Sequence, residues 1–149
     1  INYVSNSKYS GTNNKYLTWY NSGTVESDTT SLGFTSTVSE KMTPISASIK
    51  LKSASKFVAL NNGQTATVTV KVRKGTAYNG ANERLIVGRN AYGVTSDTVL
   101  ATGTSAIGTI DTLSSTTIAA TGDGVFEFWV DCDGTAGFIN VTDWSVTVS

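Results

Sequence analysis

The chain has 149 residues, 39% of them hydrophobic and 15% charged, and its 11 basic and 11 acidic side chains cancel. With no His and one Cys (Cys132), it can build no Cys/His zinc site, no Ser-His-Asp or Cys-His nucleophile and no intrachain disulfide. The 24 Thr and 18 Ser, 42 of 149 residues, favour strands and turns, and no apolar run is long enough for a membrane-spanning helix.

The first residue is Ile1, with no basic, apolar leader behind it, as expected of a processed product or an excised domain. Residues 1–20 form an extended aromatic-rich arm or edge strand carrying Tyr3, Tyr9, Tyr16, Trp19 and Tyr20. So many aromatics in a segment with little alternation point to intermolecular contacts. Residues 21–149 then read as a single β-sandwich domain. Strands are expected over Leu32–Val38 and over Ile45–Leu51, where Ile45, Ala47, Ile49 and Leu51 alternate with polar residues. Asn61-Asn62-Gly63 is a turn. The clearest strand is Thr65–Arg73, with Val68, Val70 and Val72 on one face. A loop through Tyr78-Asn79-Gly80 leads to Arg84–Val87, Thr98–Thr102, Ile110–Leu113 and Thr116–Ala119. After Gly122-Asp123-Gly124 comes Val125–Asp131, with Phe126, Phe128 and Val130 on one face. The turn Asp133-Gly134 leads to Phe138–Val141, and Trp144–Val148 closes the chain.

No helical periodicity appears. The pattern predicts an all-β fold, an antiparallel β-sandwich of jelly-roll type with roughly eight to ten strands. Its expected interior is Val68, Val70, Val72, Phe126, Phe128, Val130, Val146 and Val148. Charge is divided along the chain. Residues 1–89 hold all 11 bases and four acids (Glu26, Asp28, Glu40, Glu83), whereas residues 90–149 hold seven acids and no base. Either strands from the two halves interleave and the charges meet, or basic and acidic faces draw copies together. The basic run Lys50–Lys74 lacks interleaved aromatics, so nucleic acid is not an expected partner.

From Thr65 onward the order TVTVKVRKGTAYNG, RLIVGRN, GVTSDTVL and GVFEFWVDCDGTAGFINVTDWSVTV resembles the jelly-roll modules of bacteriophage virion proteins, of decoration and fibre type. Those modules are similar in turn to carbohydrate-binding sandwiches. The resemblance implies a virion structural protein that decorates or stabilises a phage-like capsid or forms a short fibre. It would be a homo-oligomer, a trimer by analogy, partnered by a major capsid or other virion protein at a virion surface or outside the cell. The alternative it implies is an extracellular carbohydrate-binding module with a cell-surface glycan as partner. Asp143 matches the position near which such sandwiches hold a structural calcium, although Thr142 stands where a second carboxylate is common. Asp131-Cys132-Asp133-Gly134 reads as a fragment of a calcium loop or as a plain Asp-Gly hairpin. No cofactor or metal is assigned.

For sugar binding, Tyr78, Asn79 and Tyr92 in Asn/Gly-rich loops are the candidate ligand residues, the rings to stack and the amide to fix hydroxyls. A two-carboxylate glycosidase needs no His, but Glu83 and Glu127 are scattered, with Glu127 on a solvated face and Glu83 paired to Arg84. The expectation is therefore no enzyme and no catalytic residues.

Overall fold

The computed structural model describes residues 22–88, 96–115 and 118–149. In chain order its strands are β1 (Gly23–Asp28), β2 (Ser39–Pro44), β3 (Ser46–Lys52), β4 (Lys56–Leu60), β5 (Thr65–Lys74), β6 (Glu83–Val87), β7 (Thr98–Thr102), β8 (Ile110–Ser114), β9 (Ile118–Ala119), β10 (Gly124–Gly134) and β11 (Ile139–Val148). They form two antiparallel sheets. The first has the order β1-β2-β11-β5-β8, with β9 also on β5; the second has β3-β10-β6-β7, with β4 also on β10.

The period of two decides which faces meet. Ala66, Val68, Val70 and Val72 are buried while the Thr, Lys and Arg residues between them are not. Phe126, Phe128 and Val130 of β10 are fully buried opposite them, in one cluster with Met42, Leu51, Leu85, Leu113 and Ile139. Each large side chain so enclosed contributes roughly 1.5–3 kcal/mol relative to exposure. The expected sandwich and six of its eight predicted core residues are therefore present.

The other two are a correction. Val146 and Val148 lie opposite Val68 and Ala66 on the core side, yet they are 39% and 43% exposed. Strand β2 accompanies β11 only along Ile139–Val141, so among the described residues no strand flanks these valines on the side away from β5. The last two predicted strands are one strand with a bulge. Thr142 pairs with Lys71 and Ser145 with Thr69, so Asp143 and Trp144 together face Val70, and Asp143 takes a φ of 55°.

Residues 32–38 are not a strand. The segment crosses the outer face of the first sheet, where Gly33 approaches Ile110. The Asp143 carboxylate accepts the backbone N–H groups of Thr35 and Ser36, both at 2.8 Å, and fastens it there. Lys71 Nζ is 3.9 Å from the same carboxylate. Asp143 thus anchors a loop, held by two backbone N–H donors with an ammonium nearby.

Charges from the two halves of the sequence meet inside one molecule. Lys50–Asp133, Lys52–Glu127, Lys71–Asp143 and Arg84–Asp131 each join a base of the first half to an acid of the second.

Candidate functional site

With Phe126, Phe128 and Val130 turned inward, alternation turns Val125, Glu127, Trp129 and Asp131 of β10 to the outer face of the second sheet. The register places Phe57 opposite Glu127, Ile86 opposite Trp129, and Arg84 opposite Asp131. Lys52 stands opposite Asp131 on the other side. One face thus combines a column of acids with flanking bases and two aromatic rings.

The polar groups orient one another. Arg84 grips Asp131 with two parallel bonds, Nε to Oδ1 at 2.8 Å and Nη2 to Oδ2 at 2.7 Å. Burial raises the Asp131 carboxyl above its ordinary range, against the pull of Arg84. Lys52 Nζ donates to Glu127 Oε2 at 2.9 Å and lies 4.0 Å from the centre of the Trp129 ring, a cation–π contact. Ser55 Oγ also bonds Glu127 Oε2. The indole is buried and lies close against Gly88, where an added Cβ would come within 2.7 Å of Cζ3. Phe57 is 49% exposed and Val125 55%, so an open aromatic-apolar strip adjoins the charged column.

At the end of this column Asp133 closes a turn. Its Oδ1 accepts Ala81 N and Asn82 N at 3.0 and 3.1 Å, and its Oδ2 accepts Asn82 Nδ2 at 2.8 Å and Lys50 Nζ at 3.1 Å. Burial opposes ionisation there, but the bonds from Asn82 and Lys50 outweigh it and hold the carboxyl low. Asp131-Cys132-Asp133-Gly134 is accordingly the last part of β10 running into a turn, with Gly134 at a φ of 128°.

The loop residues expected to bind ligand have other work. Tyr78 is buried in the core cluster and donates its hydroxyl to the Asn82 carbonyl at 3.0 Å, so its ring has no free face. Asn79 is spent on residues 135–136: Oδ1 accepts Thr135 N and Ala136 N, and Nδ2 donates to Thr135 Oγ1. Tyr92 lies outside the described residues, as do Tyr3, Tyr9, Tyr16, Trp19 and Tyr20.

Glu83 also departs from its expected role. It pairs with Cys132, on the core side of β6, and its Oε1 faces Lys74 Nζ of the opposite sheet at 3.4 Å instead of Arg84. Its Oε2 is buried without a hydrogen-bond partner among the described residues. Burial, offset in part by Lys74 and reinforced by Asp111, raises the carboxyl to about 7. Glu83 and Glu127 therefore lie on opposite faces of one sheet and cannot flank a common glycosidic bond. The residue that sequence reasoning missed is Phe57. In Lys-Phe-Val-Ala-Leu, alternation that turns Val58 and Leu60 inward turns Phe57 outward.

No protein-family model matches the chain, and no curated protein sequence matches it. Among solved structures it is similar to the xylan-binding CBM22-1 domain of Paenibacillus barcinonensis Xyn10C, with a TM-score of 0.59, 8% identity and coverage of 83% of this chain and 80% of that one. A CBM4 structure gives a TM-score of 0.50 at 16% identity, covering 87% of this chain and 81% of that one. The enzymatically active domain of tailspike protein 4 of bacteriophage CBA120 gives 0.60 at 9% identity over 85% of this chain. The chain spans only 18% of that tailspike domain's length. At these identities the likeness is one of fold: a β-sandwich shared with carbohydrate-binding modules and with part of a phage tailspike.

Proposed function

We propose that the chain is a non-catalytic glycan-binding β-sandwich module acting outside the cell or on a virion surface. One observation carries the reading: Phe57, half exposed, stands directly opposite Glu127 on a sheet face that also presents Lys52 and Arg84. An exposed ring face packs against the C–H face of a pyranose, while neighbouring charged groups exchange hydrogen bonds with its hydroxyls. Because Lys52, Glu127 and Ser55 already hold one another, little side-chain freedom is lost on binding. The xylan-binding fold neighbour, matched over most of both chains, adds support. Each acid of this face is tied to a base, Glu127 to Lys52, Asp131 to Arg84 and Asp133 to Lys50.

Affinity electrophoresis of the full chain against a panel of neutral and acidic polysaccharides tests this. Retardation by at least one polysaccharide, without release of reducing sugar, is expected. Unretarded migration in all of them would overturn it.

A second reading, favoured by the tailspike neighbour, is a virion component that decorates a capsid or forms a short fibre, with another virion protein as partner. Incorporation into particles without retention on any polysaccharide would select it.

A further inference from the structure

Among the described residues, the distal half of β11 is an open sheet edge. Hydrogen bonding fixes which groups it presents. Ser149 and Thr65 exchange both backbone bonds, at 2.8 and 2.9 Å, so in an antiparallel ladder Thr147 bonds to Thr67 in the same way and the intervening Val146 and Val148 do not. The N–H and C=O groups of Val146 and Val148 therefore point away from β5. Val68, opposite Val146, agrees: its N–H and C=O turn the other way, to Ser115. Strand β2 pairs with β11 only along Ile139–Val141, leaving no strand among the described residues to meet these groups.

The other sheet edges carry protection of the kind that blocks edge pairing. Strand β1 has Glu26 and Asp28, β3 and β4 have Lys50, Lys52 and Lys56, and β8 has Asp111. Strand β7 is interrupted by a register shift against β6, and β9 is only two residues long. Ser145-Val146-Thr147-Val148 has no charge and no Pro, and its two valines, on the core side, remain exposed.

We infer that this edge pairs with the same edge of a second copy, antiparallel about a two-fold axis at Thr147. Val146 of one copy then exchanges two backbone bonds with Val148 of the other, and Val148 with Val146, making four bonds in all. The first sheet continues across both molecules. All four valines fall on one face and cover each other, while the two threonines meet on the outer face as a cross-strand pair. The occupant is set by self-complementarity, because an uncharged alternation of valine inside and hydroxyl outside matches its own reverse. A pairing this short makes a concentration-dependent dimer, a two-fold pair and not the trimer that the resemblance to virion modules implies. The inference does not depend on glycan binding.

Two variants of the full chain test it. In this register the Thr147 α-carbons form a non-hydrogen-bonded pair about 4.5 Å apart, within disulfide range. Thr147→Cys is expected to give a cross-linked dimer under mild oxidation, whereas Ser145→Cys, opposite residue 149, stays monomeric. Cys132 is buried and silent. Val148→Pro deletes an N–H that β5 does not use, and in sedimentation equilibrium it is expected to weaken association at least tenfold. Monomer at every concentration, equal cross-linking of the two Cys variants, or unchanged association of a folded Val148→Pro protein would each overturn the inference. If Val148→Pro fails to fold, the Cys pair decides. Coverage of this edge by residues 1–21 of the same chain would appear as Thr147→Cys that does not cross-link.

Discussion

Changing Glu83 to Gln should stabilise the protein by an amount that grows as pH rises from 4.5 to 7 and then levels off. The side chain is 1% exposed, between the sheets, with Gly103 leaving it room: an added Cβ there would lie 2.2 Å from Oε1. Lys74 supplies a counter-charge but shares its ammonium with the Ser105 carbonyl at 2.9 Å. Asp111 adds repulsion, and the Cys132 thiol and Tyr78 phenol near it are themselves held neutral by burial. The carboxyl thus rises from an ordinary 4.5 to about 7 in the folded chain. Between these values the native state holds a proton that the unfolded state has lost, so stability falls as pH rises. The contribution is complete below 4.5 and lost as pH passes through 7. At about 1.4 kcal/mol per unit the loss is about 3 kcal/mol. Glu83→Gln keeps the shape and removes the titration. Its melting temperature should match the parent near pH 4.5 and exceed it by roughly 6–12 °C at pH 8. Urea melts across this range supply the same comparison in free energy. A variant less stable than the parent at pH 8, or one that keeps the parent's slope between pH 5 and 7, would refute the argument.

Phe128→Ala should cost about 3–5 kcal/mol in urea denaturation, because it opens a cavity at a fully buried site. Arg84→Ala strands the buried Asp131 carboxylate and should cost about 3–5 kcal/mol, most of it recovered by adding Asp131→Asn. Asp143→Ala removes the acceptor for Thr35 and Ser36. It should speed amide hydrogen exchange at those two residues by tenfold or more while β5 amides keep their protection.

The sequence was most legible where one face is apolar and the other polar. β5 and the first half of β10 alternate cleanly, and the structure follows them. It was misleading at Leu32–Val38, where Leu32, Phe34 and Val38 mimic a strand period although the segment is a loop lying on a sheet. Asp143, over a hundred residues away, fixes its course, and no local pattern reveals such an anchor. β1 and β2 went unseen because Gly-Thr-Val-Glu-Ser-Asp and Ser-Glu-Lys-Met-Thr-Pro hold one strongly apolar residue each. Pairing with neighbours makes these strands, not propensity. The charge division was informative, since bases of the first half meet acids of the second across the sheets. At the candidate site, the polar loop composition around Tyr78 drew attention to a ring that the fold buries. Phe57 lies in β4, a strand the sequence pattern did not announce, and only the register sets it opposite Glu127.

The central claim is that the outer face of β3, β4 and β10 binds sugar. Titrating the isotopically labelled full chain with the oligosaccharide of whichever polysaccharide retains it, and mapping backbone amide shifts, tests this most directly. The account predicts that shifts concentrate at Lys52, Phe57, Glu127 and Trp129, and that Phe57→Ala weakens binding at least tenfold with the melting temperature unchanged. Shifts confined to the 75–82 loop, or binding indifferent to Phe57→Ala, would contradict it.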